Sequence, residues 1–390
     1  MIDLSKAFPR PVSLKLLTVV GILLSAAGVQ AEPYLAMRTG FKCSQCHVNK
    51  IGGGERTEYG EVYSQYQLLM TQTEGLMQAS QNSFDPKLND MITVGGNLRI
   101  QEFYNGKYSY TSASGTGGGN ITNVVPSTNQ TQLSEANFYM NVELIKNYLS
   151  FYMDQAIATN ETGAVGAREM FGMLRNLPLN SYVKVGQTLL PYGLRVMDDQ
   201  AFIRAMTGYT YNTTGVAAEV GLEPGPLSLT ANVTSNKFSS VGSLVFRHFR
   251  IGGSYGGSWQ NGTTPVSSVH YTYGPFGGFN FGRLTGMEEV DFIKGVNSGG
   301  YFVPQIADLS ELDFLALQGV NLKATYEYYD RNTRIGLDHD GQDRLTFGIE
   351  PFVTRFLQLG LYYRINRFVP QDTVDVGNQN QIIGRAQVFF

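Results

Sequence analysis

The sequence has few of the residues that build metal clusters or bind nucleic acid. Its 390 residues include two cysteines, four histidines and one tryptophan. A structural zinc site needs four ligands, and no second Cys or His pair lies near the two cysteines. Charged residues amount to only 16%, the formal net charge is −3, and no basic run is present. This composition argues against nucleic acid as a partner.

Long apolar runs are also missing. Three basic residues precede an apolar run at positions 16–27, and Val29-Gln30-Ala31 offers small residues at the cleavage positions. This run is too short for a membrane span, so residues 1–31 are predicted to be a secretory signal peptide, with the mature chain beginning near Glu32. No later stretch approaches the roughly 18 apolar residues of a transmembrane helix. A closed β-barrel is the membrane architecture that remains.

The two cysteines stand in Cys43-Ser44-Gln45-Cys46-His47. Cys-x-x-Cys-His is the attachment signature of a c-type haem. Two thiols at this spacing form thioethers to the vinyl groups of one porphyrin edge, and the following imidazole ligates the iron. We therefore expect one covalently attached haem c, bound through Cys43 and Cys46, with His47 as the proximal ligand of the iron.

Other interpretations of Cys-x-x-Cys are a thioredoxin-like redox pair, half of a zinc site or a structural disulfide. A thioredoxin motif needs a βαβ context, and none surrounds this pair. The signal peptide favours haem, because export delivers the motif to the periplasm, where c-type haem is attached. A small disulfide loop with an incidental histidine is the alternative that remains.

Residues 32–90 are predicted to form a small α-helical cytochrome c domain. Apolar residues recur at helical spacing from about Glu58 to Met77. About sixty residues are marginal for independent folding, and a bound haem would supply most of the core. Met70 is the first choice for the distal iron ligand, ahead of Met77 and Met37, because a helix after the motif can fold back over the haem. Methionine as core filler and an open or water-ligated position are the alternatives.

Residues 91–390 alternate with period two, which predicts β-strands. Polar Asn321, Lys323, Thr325 and Glu327, for example, interleave with apolar residues. In a transmembrane barrel the apolar face meets lipid and the polar face lines the lumen. The 23 Tyr and 23 Phe, and an alternating C-terminal strand that ends in Phe390, fit this architecture.

Turn signals set the strand number. Long connections alternate with short ones, as in outer-membrane barrels. The short turns are predicted at Lys146-Asn147, Asn176–Asn180, Glu223-Pro224-Gly225, Arg247-His248, Gly274-Pro275, Gln318-Gly319 and Val353–Arg355; the long loops are predicted at Ser109–Thr131, Leu190–Thr213, Thr285–Leu309, Asn332–Gln342 and Phe368–Gln379. The predicted fold is therefore all-β: a transmembrane antiparallel barrel of about 16 strands, preceded by the small helical domain.

The chain resembles the outer-membrane fused monohaem cytochrome c–porins, which include the iron-oxidising outer-membrane cytochromes. The local resemblance covers residues 31–47, where Pro33-Tyr34-Leu35-Ala36 and Thr39-Gly40 precede the haem motif. It implies electron transfer across the cell outer membrane, between an extracellular donor or acceptor such as Fe(II) and a periplasmic carrier, a cytochrome or a cupredoxin. We expect the haem domain to lie in the periplasm or to insert into the barrel lumen as a plug.

A weaker resemblance to phosphate-selective anion porins covers Val183–Gln187 followed by Pro191-Tyr192-Gly193-Leu194-Arg195. It implies a loop that folds into the pore, with Lys184 and Arg195 acting on a passing anion; a purely structural loop is the alternative. The alternative function is therefore a diffusion porin for small anions whose haem-bearing domain is a plug or a sensor.

Two further expectations concern partners. Asp338-His339-Asp340, in a predicted outer loop, is either a polar loop tip or a transient site for a divalent cation. Porins are often trimers, so a homo-trimer in the outer-membrane lipid is expected. No convincing Ser/His/acid constellation for hydrolysis is present in the sequence.

Overall fold

Sixteen of the strands close into one antiparallel barrel. The computed structural model describes residues 32–70, 85–113, 120–158, 166–198, 200–210, 212–259, 270–296, 302–334, 341–368 and 377–390. Within these residues each barrel strand pairs with the next along the chain, and the first strand also pairs with the last, which closes the sheet. The prediction of an all-β, 16-strand barrel is confirmed.

The strands take their numbers from chain order. They are β1 Ile92–Asn105, β2 Tyr108–Ala113, β3 Asn120–Val125, β4 Thr128–Ile145, β5 Leu149–Ala156, β6 Gly166–Leu177, β7 Ser181–Leu189, β8 Thr214–Leu222, β9 Leu227–Thr234, β10 Lys237–Val245, β11 Phe249–Ser258, β12 His270–Phe281, β13 Leu284–Val296, β14 Phe302–Leu317, β15 Val320–Asp330, β16 Gly341–Thr354, β17 Leu357–Phe368 and β18 Gly377–Phe389. Strands β2 and β3 form a separate hairpin outside the barrel sheet.

The barrel places polar side chains inside and apolar side chains outside. Lys184 and Glu219 are opposite each other on β7 and β8 and are 1% and 0% exposed. On the same two strands, Val185 and Val216 are 58% and 74% exposed. This pattern is the reverse of a soluble β-sandwich, and it is the pattern of a barrel whose outer wall meets lipid.

Six of the seven predicted short turns join strands at one end of the barrel, which we call the short-turn end. The turn predicted at Gly274-Pro275 is wrong, because both residues lie inside β12. Pro275 faces outward and has no N–H, so it interrupts the pairing with β13 locally without ending the strand. The turn is at Gly282 and Arg283, where Gly282 has a φ of 61°.

The long loop predicted over Thr285–Leu309 is also wrong. Strands β13 and β14 occupy most of it. Glu289 and Asp291, which lie on β13, face the lumen and are buried. The long connection predicted over Ser109–Thr131 contains the β2–β3 hairpin.

The helices are short. They are α1 Pro33–Thr39, α2 Cys43–Cys46, α3 Glu58–Tyr66 and α4 Phe202–Ala205, with a 3₁₀ turn at Pro178–Asn180. Thr57 caps α3 by accepting a hydrogen bond from the Gly60 amide. The helix predicted to reach Met77 ends at Tyr66. None of the helices among the described residues has the length and apolarity needed to cross a bilayer.

Three sequence-based expectations lie outside the described residues. They are the signal peptide at 1–31, Met77, and Asp338-His339-Asp340.

Candidate functional site

Residues 32–70, which we call the lumen segment, lie inside the barrel near its short-turn end. The side chains of Glu32, Arg38 and Asn49 contact inward-facing residues of β15, β18 and β6. At its far end, the Met70 amide donates a hydrogen bond to the carbonyl of Phe352, next to the last turn of the barrel. The segment therefore fills the lumen, as a plug would.

Asn49 fixes the middle of the segment to the barrel wall. Its Nδ2 donates to both carboxylate oxygens of Glu169, at 2.9 and 2.8 Å, and its Oδ1 accepts from Lys184 Nζ at 3.2 Å. Lys184 also pairs with Glu219 at 2.8 Å. All four side chains are buried, so each polar group depends on these partners.

Glu32 fixes the start of the segment. Its carboxylate pairs with Lys323 at 3.1 Å and with Arg385 at 2.9 Å. Burial by itself raises the pKa of a carboxyl group, but these two cations outweigh it and lower the pKa of Glu32 to about 2. The side chain is therefore ionised at neutral pH and bound to the wall on two sides.

The Cys-x-x-Cys-His motif is held by α2 and by the start of α3. The His47 amide donates to the carbonyl of Cys43 at 3.0 Å, and the Thr57 amide donates to that of Cys46 at 3.0 Å. Gly60 lies directly against the motif: a Cβ at this position would stand 2.2 Å from the Cys46 carbonyl oxygen. Only glycine allows α3 to approach this closely.

The run Gly52-Gly53-Gly54 shapes the loop after the motif. All three residues have positive φ, at 90°, 80° and 66°, a backbone that other residues rarely adopt. The loop brings the Glu55 amide to the hydroxyl of Tyr152 on β5, at 3.1 Å. The three glycines therefore allow the loop after the motif to pack against the barrel wall.

His47 is buried but has no strong hydrogen bond. It is 2% exposed, and neither ring nitrogen makes a hydrogen bond of normal geometry to any described residue. Burial lowers the pKa of His47 to about 3, nearby Arg56 adds to the lowering, and the approach of the Gly54 backbone opposes it. The imidazole is therefore neutral at pH 7, which is the form that ligates metals.

The two thiols are not joined in a disulfide. Burial, and then the neighbouring Cys43, raise the pKa of Cys46 to about 11, so this thiol is protonated at neutral pH. Both cysteines and His47 line the same partly open cavity. The residues predicted from the motif are thus brought together around one space.

This cavity lies between the lumen segment and the barrel wall. The segment contributes apolar side chains that include Leu35, Phe41 and Leu68, and the wall contributes Val241 and Phe276. Lys42, Lys50, Arg195 and Arg250 also line it. The residues that line the cavity fit a covalently held haem. They provide two thiols for attachment, a buried imidazole without a hydrogen bond of normal geometry, and an apolar enclosure. They also provide cations that could pair with the carboxylate groups of the haem.

Residues 190–198, 200–210 and 212–213 form the second element inside the barrel, which we call the inward loop. The Tyr192 hydroxyl donates to Asp291 Oδ1 at 2.6 Å, and the Leu194 amide donates to Glu289 Oε2 at 2.5 Å. Arg204, which is 1% exposed, donates to the carbonyls of Tyr192 and Tyr209. The weaker motif resemblance implied such an inward loop, but no sequence signal pointed to the role of Arg204.

Further contacts attach the inward loop to the far wall. Asp198 pairs with Arg364 on β17, and Arg344 on β16 donates to the Gln200 carbonyl at 2.8 Å. A second chamber lies between this loop, the start of the lumen segment and strands that carry Arg99, Lys323, Glu311 and Glu350.

The structure places Arg195, Lys184 and Met70, the other predicted site residues, in three different surroundings. Arg195 lines the cavity that contains the Cys-x-x-Cys-His motif and donates to the Gly52 carbonyl at 2.9 Å. Lys184 is committed to Glu219 and Asn49. Met70 is not among the described residues that line the cavity. Its assignment as distal ligand stays a prediction.

The barrel is similar in fold to solved porin structures. An anion-selective porin from Comamonas acidovorans aligns with a TM-score of 0.56 at 9% identity, covering 76% of this chain and 99% of that one. OprB of Pseudomonas putida aligns with a TM-score of 0.53 at 11% identity, covering 84% and 100%. OmpT of Vibrio cholerae, folded in vitro and in a trimer form, aligns with a TM-score of 0.52 at 11% identity, covering 76% and 98%.

No protein-family model and no curated protein matches the chain. At these identities the likeness shows the fold alone, which is a porin-like barrel.

Proposed function

We propose that the protein is an outer-membrane channel of the porin type whose lumen is narrowed by its own lumen segment and inward loop. The observation that carries this proposal is the closed 16-strand barrel with an apolar outer wall and a charged interior. The porin-like fold supports it. Small anions are the expected solutes; Arg99, Lys323, Arg364 and Arg385 are the cations of the second chamber, where they stand beside carboxylates that include Glu311 and Glu350.

Planar-bilayer recording of the purified full-length protein tests this function. We expect small, discrete conductance steps and, in a salt gradient, a reversal potential that indicates anion preference. Asp198→Asn, which removes the ion pair with Arg364, should increase the conductance because it loosens the inward loop. Absence of conductance in both proteins would sink the channel proposal.

A second function is favoured by one observation, the convergence of Cys43, Cys46 and His47 on an apolar cavity inside the barrel. We propose that these residues hold one haem c, which would supply single-electron transfer at its iron. Leu35 and Phe276 would exclude water from the haem, and Lys50 and Arg250 could pair with the carboxylate groups of the haem. The expected partners are a periplasmic cytochrome or cupredoxin and an extracellular donor such as Fe(II).

Haem staining of denatured protein, expressed with haem-attachment machinery, tests the cofactor. Covalent haem should be present in the native protein and absent from a Cys43→Ala/Cys46→Ala double variant. Mixing the haem-loaded protein with Fe(II) and following the reduced spectrum then tests the donor. Lack of covalent haem in the native protein rules out this second function and leaves the channel proposal standing.

The two functions differ in what crosses the membrane. In liposomes that enclose an oxidised haem-protein acceptor, an electron conduit reduces the acceptor while ion conductance stays low. A channel with a haem-bearing plug or sensor conducts ions and leaves the acceptor oxidised unless the reductant itself enters.

We further propose that the protein forms a homo-trimer through the outer wall of β12–β15. Glu288 and Asp308 face outward there. Carboxyl groups are unfavourable against lipid tails. They lie beside a groove of small residues, Gly277, Gly286, Ser310 and Ala324, which another copy can fill. One of the structures of similar fold is itself a trimer form.

Light scattering of detergent-purified protein tests this interface. Gly286→Trp should convert trimer into monomer, whereas Gly172→Trp should not, because Gly172 lies on the outward face of distant β6 and has open space around it. A native protein that is monomeric in mild detergents would contradict the proposal.

A further inference from the structure

One side of the second chamber is apolar, although it belongs to the lumen face of the barrel. Phe103 on β1, Ile383 on β18 and Tyr362 on β17 all line this chamber. Phe103 and Tyr362 each lie opposite Ile383 in the strand register, and the three buried side chains form one cluster. Directly opposed side chains on one face of a sheet stand about 5 Å apart. The cluster is therefore a continuous apolar surface across three neighbouring strands.

Arg99 brings a weakly held guanidinium to the same chamber. The residue is 2% exposed, and its Nε has no hydrogen bond among the described residues. One terminal nitrogen is 3.4 Å from the Met197 carbonyl, and the other is 4.0 Å from the Glu135 carboxylate. That carboxylate already pairs with Arg168 at 2.9 Å and accepts a hydrogen bond from Asn97. Buried charged groups normally have closer partners, so Arg99 retains the capacity to bind an anion.

The other charged groups of this lining are already paired. Lys323, Arg364 and Arg385 each stand 3.1 Å or less from a carboxylate oxygen. Arg99 is therefore the least neutralised cation among the described residues of the chamber.

The carboxylates of the described lining all have a cation as partner. They are Glu32, Asp198, Glu311, Glu327 and Glu350. An ammonium group that entered the chamber would have to compete with these cations for a carboxylate. The lining therefore favours an anion over a zwitterion.

The inward loop brings the guanidinium and the apolar cluster to one space. Arg99 on β1 approaches the Met197 carbonyl. Arg364 on β17 pairs with Asp198, the next residue of the loop. The apolar cluster spans the same strands, β1, β18 and β17, which are neighbours in the barrel. Phe103 follows Arg99 by four residues, about 13 Å along the strand. This separation, less the reach of the two side chains, suits a ligand of one ring rather than a long-chain acid.

We propose that the second chamber is a binding site for small monocarboxylates with an apolar body, such as aromatic acids. Arg99 binds the carboxylate, and the cluster of Phe103, Ile383 and Tyr362 receives the body. The inference rests on the proposed channel function for the passage of the solute, whereas binding by itself does not require it. It narrows the expected solutes from small anions in general to amphipathic ones.

Isothermal titration calorimetry of the detergent-purified, full-length protein tests the site, with benzoate as the probe. Benzoate should bind to the native protein. Arg99→Gln should weaken binding by about tenfold to a hundredfold, the effect expected when a hydrogen bond from a charged donor is lost. Arg367→Gln is the matched control, because this arginine lies on the outer face of β17, where it pairs with Asp343. Equal weakening in both variants would refute the role of Arg99.

Two further probes of the native protein keep the test independent of how the variants fold. Acetate keeps the charge and lacks the ring, and benzyl alcohol keeps the ring and lacks the charge. Each should bind at least about tenfold more weakly than benzoate, because each loses one of the two contacts. Acetate that binds as tightly as benzoate would overturn the apolar part of the site. Benzyl alcohol that does so would overturn the anionic part.

Planar-bilayer recording separates this inference from the channel proposal. Benzoate should reduce the current through the native protein at lower concentrations than it does through Arg99→Gln. Conductance without benzoate binding in the calorimeter would overturn the inference and leave the channel standing. Benzoate binding without conductance would leave the site standing and overturn the channel.

Discussion

Arg195 of the inward loop donates a hydrogen bond to the backbone carbonyl of Gly52 in the lumen segment, at 2.9 Å. The two residues are 143 positions apart in the chain. This contact joins the two elements that fill the lumen, next to the cavity that His47 lines. The inward loop and the segment therefore support each other as well as the wall.

Replacing Arg195 by Ala should loosen the loop that carries Gly52. A hydrogen bond from a charged donor contributes about 1.5–3 kcal/mol. Hydrogen exchange at residues 50–56 should accelerate accordingly, while exchange in the barrel strands stays unchanged. Arg283→Ala, at the exposed turn between β12 and β13, is the matched control and should have no effect there. Equal exchange in both variants would refute the supporting role of Arg195.

The attachment of the lumen segment to the barrel wall should weaken at low pH, because Glu32 then becomes protonated. Its pKa is lowered from 4.5 to about 2 by Lys323 and Arg385, so its ionised form stabilises the docked state. This contribution is fully present above about pH 4.5 and is lost as the pH falls towards 2. A shift of this size corresponds to roughly 3 kcal/mol. Single-channel recording should show more frequent openings as the pH is lowered.

Glu32→Gln provides the comparison for this pH effect. The variant should open frequently already at neutral pH, and the pH-dependent difference between it and the native protein should vanish in acid. If both proteins respond identically at every pH, Glu32 does not hold the segment.

Removal of the Asn49 side chain should release the middle of the segment. Asn49→Ala leaves the buried Glu169 carboxylate without two of its hydrogen bonds, which costs about 1–3 kcal/mol. Limited proteolysis should then cut within residues 47–56 while the barrel resists. Asn129→Ala, on the exposed end of β4, serves as control. Cleavage at the same rate in both variants would argue against this attachment.

Gly60→Ala should destabilise α3, although alanine is the better helix former by about 1 kcal/mol. The added methyl would meet the Cys46 carbonyl at 2.2 Å, and overpacking of this kind costs about 1–3 kcal/mol. Val62→Ala, at a 54% exposed position of the same helix, should be tolerated. Hydrogen exchange of α3 in the two variants shows whether helix propensity or close packing determines the stability of this helix. A Gly60→Ala helix more protected than native would contradict this prediction.

The barrel could be predicted from the sequence because its signals are local. Alternation along β15 places Asn321 and Lys323 on one face, and that pattern alone fixes which side chains point to the lumen. Turn residues located six of the seven short turns. Gly274-Pro275 misled the prediction because a proline on the outward face of a strand carries the same local signal as a turn.

The Cys43–His47 motif also follows from the sequence, as does the choice of haem as the group it would hold. The tertiary structure decided what surrounds it. Asn49 with Glu169, Arg195 with Gly52, and Glu32 with Lys323 are pairs far apart in the chain, and no local pattern encodes them. Such contacts depend on barrel closure and strand register, which bring inward side chains of distant strands to one space. For the same physical reason, only the folded chain shows that the motif lies inside the lumen, facing a wall of Val241 and Phe276.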